Sequence, residues 1–171
     1  RDTSGCLLLA KKSSTLKYLQ NEFKLKRIRK RYLAFVHGSW PKELVRIDAP
    51  LLKNEVSSGE RIVKVMPHGK AAETYFNVLE SYAAASLLEA TPITGRTHQI
   101  RVHCQYAGYS IVGDKRYGPK KCAESLKSIK TLCLHASTIE FRDVVSDRIT
   151  RINAPVDKFW LNASNIIKNT V

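Results

Sequence analysis

The apolar and polar positions of this chain alternate or cluster at intervals typical of strands, with only a few helices between them. Residues 6–10 form a continuous apolar run of strand length, which predicts a buried strand. The other β-rich segments predicted to be strands are residues 32–36, 61–66, 74–82, 85–93, 132–141 and 148–152. Because residues 74–82 and 85–93 are joined by a tight connection, we expect a largely antiparallel sheet.

Three segments have the spacing of amphipathic helices. The first begins at Ser13 or Ser14, either of which can serve as its N-cap. The second has Thr97 as its predicted N-cap, and Gly108 is placed to end it. The third covers residues 155–168. We therefore predict an α+β fold, in which a mixed, largely antiparallel sheet is flanked by helices.

The first two helices each have one face that stands out. In the first, Leu16, Leu19 and Phe23 recur at i, i+3 and i+7, so they are expected to form its apolar stripe. In the second, His98 and Arg101 lie three positions apart and should project together. The second helix is therefore predicted to present an imidazole and a guanidinium group on one side.

The connections contain most of the remaining charge. Residues 24–31 are predicted to form a basic loop that leads into the strand at 32–36. Residues 54–59 are predicted to be a loop between short strands, and residues 113–119 a charged loop punctuated by glycines. Residues 120–130 add further lysines around a short helical segment.

The net charge narrows the class of partner. The chain has 29 Lys and Arg residues against 15 Asp and Glu residues, which gives a formal charge of +14. This excess favours a polyanionic partner, and nucleic acid is the first interpretation. No apolar stretch approaches the ~18 residues of a membrane-spanning helix, so a spanning segment is not predicted.

Length and cysteine content point to one cytoplasmic domain. With 171 residues the chain is most simply a single domain, which we expect to be monomeric. No pattern of a secretory signal opens the sequence. The four cysteines are scattered and include no C-x-x-C pair, so they are predicted to be reduced, mostly core thiols: Cys6, Cys104, Cys122 and Cys133.

Two basic surfaces are candidates for phosphate contact. The first includes Lys30 and Arg31, and the second includes Lys115 and Arg116. A charge run is usually no more than a solvated face. The overall charge of +14 favours contact with nucleic-acid phosphates instead.

A metal site is suggested at first by His98, His103 and Cys104. Zinc ligands on one helix face should be three or four positions apart, and the gap of five turns the two histidines away from each other. We therefore expect no metal, although His98, His103 and Asp114 leave a metal-dependent nuclease as an open alternative. The absence of G-x-S-x-G, P-loop and G-x-G-x-x-G motifs removes support for hydrolase and nucleotide-cofactor functions.

Tyr32 and Arg101 each have two interpretations from the residues alone. Tyr32 is either a strand aromatic packed in the core or, beside a basic stretch, a ring that stacks on an unpaired base. Arg101 is either a solvated helix arginine or a buried cation that requires a carboxylate partner. Residue chemistry leaves both questions open.

Several segments together resemble the RluA-type family of pseudouridine synthases. Residues 1–11 are similar to the second half of the family signature His-Arg-Leu-Asp-x-x-Thr-Ser-Gly and the strand after it. Residues 30–38 resemble the tyrosine motif of the family, and residues 94–103 resemble its third motif. Shorter matches occur at residues 49–54, 113–118 and 134–136.

The resemblance implies an enzyme that converts specific uridines of large-subunit (23S) ribosomal RNA to pseudouridine. The flipped base is detached and rejoined through C5, which requires neither a cofactor nor a metal. In the family, a tyrosine matching Tyr32 stacks on the uracil and helps to remove the C5 proton. An arginine matching Arg101 keeps a nucleophilic aspartate ionised. Arg96, His98 and Gln99 are then candidates for RNA contact or for support of the site.

The nucleophilic aspartate of the family would fall immediately before Arg1. Asp2 occupies a position that the signature leaves open, so it is not assigned that role. We therefore expect residues 1–171 to be one pseudouridine synthase catalytic domain, truncated at its N-terminus and inactive by itself. Its first strands and an upstream S4-like RNA-binding module are expected to be missing. The alternative is a non-catalytic basic RNA-binding module.

Overall fold

The computed structural model describes residues 2–55 and 61–170. The strands in these ranges are β1 (Ser4–Gly5), β2 (Arg29–His37), β3 (Arg46–Asp48), β4 (Leu51–Glu55), β5 (Arg61–Val65), β6 (Glu73–Ser81), β7 (Ala85–Pro92), β8 (Leu134–Arg142) and β9 (Ile149–Asn153). The helices are α1 (Ser13–Lys24), α2 (Gln99–Tyr106) and α3 (Lys158–Lys168), with a 3-10 turn at Glu124–Leu126.

Seven of the strands form one sheet in the order β1-β8-β2-β7-β6-β3, with β9 also paired to β8. Within the described part of the chain, β1 and β8 are the only parallel pair of this sheet. Strands β4 and β5 form a separate antiparallel pair. The predicted α+β class with a largely antiparallel sheet is therefore confirmed.

The main core lies where the central strands meet α2 and α3. Phe35 of β2 and Leu88 of β7 are fully buried at its centre. Trp160 of α3 packs on Phe35 with ring centroids 5.0 Å apart, and Ile100 and Cys104 of α2 close the other side. These contacts fix α2, and therefore the side chains at its N-terminal end, against the sheet.

The predicted strand at residues 6–10 is wrong. Pairing with β8 covers only Ser4–Gly5, and the last ladder bond is donated by the Cys6 N–H to the Ala136 carbonyl at 2.8 Å. Leu7 and Leu9 are then 81% and 76% exposed. An apolar run of this length becomes a buried strand only where partners cover it, and the described residues do not cover these two side chains.

Helix α1 forms where it was predicted, but the face that it buries differs from the predicted one. Its buried residues are Leu19 and Glu22, whereas Leu16 and Phe23 are largely exposed. The buried Glu22 carboxylate is compensated by the Arg27 guanidinium, which lies 3.3 Å away. The apolar stripe predicted from spacing is therefore correct only for Leu19.

The ends of α2 agree with the sequence at one terminus only. Gly108 follows the helix with φ +89°, a left-handed conformation that glycine adopts without strain. The N-cap is His98, also left-handed at φ 53°, and not Thr97 as predicted. The first turn is held instead by the Gln99 side chain, whose Oε1 accepts from the Arg96 N–H at 2.9 Å.

Two predicted loops are only partly loops. Arg29, Lys30 and Arg31 pair with Glu140, Ile139 and Thr138 of β8, so the second half of the basic stretch is strand. The strand begins earlier than predicted because the backbone of these basic residues pairs with β8. This pairing does not require all of their charged groups to be buried. Of residues 54–59, the first two belong to β4 and the rest lie outside the described residues.

Helix α3 and the free state of the cysteines agree with the sequence. Helix α3 begins at Lys158, with the Asp157 carboxylate accepting from the Trp160 N–H at 2.8 Å. All four cysteines are free, and Cys104 and Cys133 are the buried ones. Among the described helices, none has the length and hydropathy needed to cross a membrane.

Candidate active site

A cavity of about 190 Å³ opens between the sheet and the N-terminal end of α2. Its wall includes six residues with charged, imidazole or phenol side chains: Asp2, Lys30, Tyr32, Arg96, His98 and Arg101. We call this the first cavity. It brings together the two residues for which a catalytic role was predicted, Tyr32 and Arg101.

Strand geometry places Lys30 and Tyr32 in the first cavity together. Alternate residues of a strand face the same side of a sheet, so positions 30 and 32 of β2 share one face. The pairing of β2 with β8 shifts register between Arg31 and Leu33, so that two residues of β8 lie opposite Tyr32. A shift of this kind disrupts the ladder locally beside the cavity.

Arg31 lies on the opposite face of β2 and does not line the first cavity. Its guanidinium lies 3.7 Å from the Glu89 carboxylate. The prediction grouped Lys30 and Arg31 as one basic surface, and the alternation of the strand separates them. The Lys30 Nζ, in contrast, lies 3.5 Å from the Thr94 carbonyl, and burial lowers the pKa of its ammonium group.

The Tyr32 side chain is half-buried in the cavity wall. Burial raises the pKa of its phenol, and the nearby Cys6 thiol adds a smaller upward effect. The phenol is therefore protonated at neutral pH. It offers the cavity an aromatic ring together with one O–H group that can donate or accept a hydrogen bond.

Arg101 forms a two-point ion pair with Asp114. The Arg101 Nε donates to Asp114 Oδ2 at 2.7 Å, and the Arg101 Nη2 donates to Asp114 Oδ1 at 2.6 Å. The Asp114 carboxylate is fully buried, and the Arg101 side chain is 12% exposed. Sequence reasoning expected a carboxylate for Arg101 but did not identify this one.

The loop around Asp114 is folded onto its carboxylate. Oδ1 also accepts from the backbone N–H groups of Arg116 at 2.9 Å and Tyr117 at 3.0 Å. Burial by itself would raise the pKa of Asp114, but the hydrogen bonds from Arg101 and these two N–H groups outweigh burial and hold the pKa below its ordinary value. The pair is therefore fully ionised at neutral pH.

Asp114 orients Arg101 and leaves part of its guanidinium available. A guanidinium has five N–H bonds, and the contacts to Asp114 use one on Nε and one on Nη2. The other N–H groups are not used by Asp114. The Arg101 side chain lines the first cavity and a neighbouring one. Burial acts to lower the pKa of Arg101, but the contacts with Asp114 raise it above its ordinary value, so the guanidinium stays protonated.

The neighbouring cavity, called here the second cavity, has a volume of about 600 Å³. It shares Asp2, His98 and Arg101 with the first cavity. Its outer wall carries the predicted basic residues Lys115 and Arg116, and also Lys130. The two cavities therefore form one depression with a common wall.

His98 stands in that common wall. Its Nδ1 lies 2.9 Å from the Tyr117 hydroxyl, and the two rings meet edge to face with centroids 5.5 Å apart. Burial lowers the pKa of the imidazole, and the cations of Arg101 and Arg116 lower it further. His98 and Arg101 therefore line the same cavities as predicted, although His98 precedes α2 in a left-handed conformation and helix spacing does not relate the two.

Gln99 and Arg96 differ in their access to the cavity. Gln99 is 3% exposed, and its amide nitrogen donates to the Glu73 carbonyl at 2.9 Å while its oxygen accepts from Thr94. A side chain so occupied positions the turn before α2, which agrees with support of the site, one of its two predicted roles, and RNA contact by Gln99 stays a prediction. Arg96 is exposed, and its Nε donates to the Ala71 carbonyl at 3.0 Å.

The residues that suggested a metal do not assemble a site. His103 is completely buried, with Nδ1 2.9 Å from the Thr74 hydroxyl and Nε2 3.0 Å from the Ala49 carbonyl. Burial lowers its pKa. In residues 2–55 and 61–170, no group of three or more His, Cys, Asp or Glu side chains is placed to hold a metal ion.

Asp114 and Tyr117 are the site residues that sequence reasoning missed. Asp114 had been considered only as a metal ligand, and Tyr117 had no role. The available signal was the glycine-punctuated loop itself, because Gly113 and Gly118 both lie against backbone with no room for a side chain. Two such glycines around an aspartate and a tyrosine indicate a loop built to hold those side chains in place.

A protonated phenol, a fixed guanidinium edge and a neutral imidazole thus surround one small cavity in a strongly basic protein. A flat, neutral group such as a nucleobase can stack on the phenol ring, and an anion can pair with the guanidinium edge. The arrangement fits a nucleotide whose base enters the first cavity.

Sequence comparison with known proteins identifies a matching family and similar relatives. Residues 1–106 match the family model described as RNA pseudouridylate synthase. The chain is 50% identical over 159 residues to the ribosomal large subunit pseudouridine synthase C of Pasteurella multocida, covering 92% of this chain and 49% of that protein. It is 48% identical over 162 residues to the protein of the same name from Escherichia coli K12, covering 92% and 51%.

A solved structure is also similar. Human RNA pseudouridylate synthase domain containing 1 has a TM-score of 0.77 with this chain at 25% identity, covering 98% of this chain and 70% of that one. The chain spans about half the length of the curated relatives it matches. On the family model and on these identities, the chain belongs to the RNA pseudouridylate synthase family.

Proposed function

We propose that this chain is the catalytic domain of an enzyme that isomerises specific uridines of large-subunit ribosomal RNA to pseudouridine. The observation that carries the proposal is the meeting of Tyr32, Arg101 and the start of the chain at Asp2 in one cavity. The names of its relatives, ribosomal large subunit pseudouridine synthase C, support the RNA class. A non-catalytic binding module would have no need of a buried, oriented guanidinium beside a protonated phenol.

Each residue has a role in this account. The Tyr32 ring stacks on the flipped uracil, and its hydroxyl takes part in removing the proton from C5. Arg101, held by Asp114, directs its remaining N–H edge at a carboxylate in the cavity and keeps that carboxylate ionised. The reaction breaks and re-forms one glycosidic bond without redox change, so these groups act through geometry and charge.

The nucleophilic carboxylate is proposed to come from the position just before Arg1. Asp2 lines both cavities. A residue two positions before it is at most ~7 Å away along an extended chain, so it would lie near the cavities that Arg101 also lines. Residues 1–171 by themselves are accordingly proposed to be inactive, as one domain of a longer cytoplasmic protein with an S4-like module upstream.

The RNA strand is proposed to lie across the basic depression. A wider groove of about 740 Å³ continues from the first cavity past Lys30 and Tyr32 to the exposed ring of Phe23. Among the described residues, its charged lining groups are all cations, contributed by Lys24, Lys26, Lys30 and Arg96. Cationic grooves with an aromatic ring are suited to unpaired RNA, because phosphates meet the charges and bases stack on the ring.

The test is Tyr32→Phe in the full-length protein. The variant keeps the stacking ring and removes the hydroxyl, so we expect pseudouridine formation to fall at least ~100-fold while RNA affinity changes less than ~3-fold. Pseudouridine would be counted by mass spectrometry in unmodified large-subunit ribosomal RNA. Near-normal turnover by the variant would remove Tyr32 from the mechanism.

A further inference from the structure

Tyr117 sets the proton positions on His98. The Tyr117 hydroxyl accepts from the backbone N–H of Val63 at 3.1 Å and lies 2.9 Å from His98 Nδ1. A backbone N–H can only donate, so the single phenol proton is left for His98. We assign that proton to Nδ1, because Nδ1 is the acceptor that lies within hydrogen-bond distance of the hydroxyl, and the neutral imidazole then carries its own hydrogen on Nε2.

The Nε2–H of His98 opens into the depression. Among the described residues, the hydrogen bond of the His98 ring is made by Nδ1, and Nε2 has no hydrogen-bond partner. They also contain no buried side-chain nitrogen or oxygen without a partner. Nε2 is therefore exposed to solvent. His98 meets solvent in the wall shared by the two cavities.

The surroundings of His98 keep the ring neutral. The charged groups that face it are Arg101, Arg116 and Asp114, and both burial and the two cations lower its pKa. A neutral ring with Nδ1 occupied can offer one hydrogen bond, donated by Nε2. Lys115 and Lys130 on the far side of the second cavity supply positive charge beyond it.

We infer that His98 is a fixed Nε2–H donor to a phosphodiester oxygen of the RNA, at the point where the strand passes from the first cavity to the second. Tyr117 is the positioning residue that selects this tautomer. The inference rests on the proposed function for the identity of the ligand. It adds a subsite for the backbone next to the modified uridine and a role for a tyrosine that does not itself reach the substrate.

The first test is the tautomer, which requires no RNA. In full-length protein with 15N-labelled histidine, NMR should show His98 Nε2 protonated and Nδ1 unprotonated at pH 7.5. Tyr117→Phe removes the donor to Nδ1 and should produce a mixture of the two tautomers. A wild-type ring protonated on Nδ1, or an unchanged ring in Tyr117→Phe, would overturn the role of Tyr117.

The second test separates the two nitrogens of His98. The amide nitrogen of a glutamine can stand near the position of Nε2, whereas asparagine reaches only the position of Nδ1. We expect His98→Gln to bind an unmodified large-subunit RNA transcript within ~3-fold of wild type and His98→Asn to bind ~10-fold more weakly. Because asparagine tolerates the left-handed backbone at φ 53°, a loss in His98→Asn is not a folding effect.

His68→Asn is the matched control, because His68 is exposed and lines neither cavity. It should bind RNA as wild type does. Equal affinities for His98→Gln and His98→Asn would overturn the phosphodiester contact. The result is separate from the proposed function, because affinity and tautomer are measured without turnover, whereas Tyr32→Phe tests turnover at constant affinity.

Discussion

The position of Arg101 and its need for a carboxylate partner could be predicted from the sequence, but the identity of that partner could not. Its helical position and the demand of a buried cation for a carboxylate were both evident from the sequence. The identity of the carboxylate was not, because Asp114 is thirteen positions away and meets Arg101 only through the loop after α2. Local patterns do not encode a contact that the fold creates, and the carboxylate upstream of Arg1, which follows from the family resemblance, stays a prediction.

Asp114→Asn tests the Arg101 pair. The variant leaves a mostly buried guanidinium without its counter-charge, so we expect ~3 kcal/mol lower free energy of unfolding. Loss of the two-point contact should also free Arg101 and reduce pseudouridine formation by the full-length protein. Urea unfolding and the pseudouridine count would measure the two effects.

Glu124→Gln is the matched control, since its ion pair with Lys127 is exposed to solvent and should contribute little. Its free energy of unfolding should equal that of the wild type within error. An Asp114→Asn variant as stable as this control would show that the Arg101 pair does not hold the loop.

The same carboxylate predicts a pH dependence of stability. Asp114 has a lowered pKa in the folded state, so its contribution is fully present above the unfolded value of ~3.9 and is lost as pH falls toward the folded value. The free energy of unfolding should therefore decrease between about pH 5 and pH 3, and the slope should be shallower in Asp114→Asn. Urea titrations across that range would test this, and parallel curves for the two proteins would contradict it.

At the scale of elements, patterns that are local were predicted well. Strands β6 and β7 and the C-terminal end of α2 follow from alternation, a tight connection and a glycine at the correct place. Residues 6–10 and the face of α1 were predicted incorrectly, because burial of a short apolar run depends on what covers it. Glu22 lies outside the predicted apolar stripe and is nevertheless buried, with its carboxylate paired with Arg27.

Gly113→Ala tests the loop that holds Asp114. Gly113 has φ +75°, and a Cβ there would lie 1.9 Å from the Thr131 carbonyl oxygen. Backbone strain and collision together should lower the free energy of unfolding by ~3 kcal/mol or more. Circular dichroism during urea unfolding would measure the loss.

Gly108→Ala separates strain from collision. Gly108 has a similar φ of +89°, but a Cβ there would meet no atom within 4 Å. Its substitution should cost only the conformational strain, ~1–2 kcal/mol. Equal losses in the two variants would mean that the tight contact of Gly113 with Thr131 does not matter for the loop.

At the scale of the whole molecule, part of the positive charge borders the site. The excess of +14 suggested a polyanion without showing where it binds. The structure places Lys24, Lys26 and Lys30 along a groove on one side of the first cavity, and Lys115 and Lys130 beside the second. Composition cannot predict this arrangement, because it depends on the strand alternation that separates Arg31 from Lys30 and on the loop that brings residue 114 to residue 101.

The measurement that most directly tests the account is pseudouridine formation in unmodified large-subunit ribosomal RNA. It would compare the full-length protein, the same protein with Arg101→Lys and residues 1–171 alone. Because lysine cannot make the two-point contact to Asp114, we expect Arg101→Lys to form pseudouridine at least ~100-fold more slowly than the unaltered full-length protein. We expect residues 1–171 alone to form none. Absence of pseudouridine with the full-length protein, or its formation by residues 1–171 alone, would contradict the central claim that Tyr32 and Arg101 act with a carboxylate that precedes Arg1.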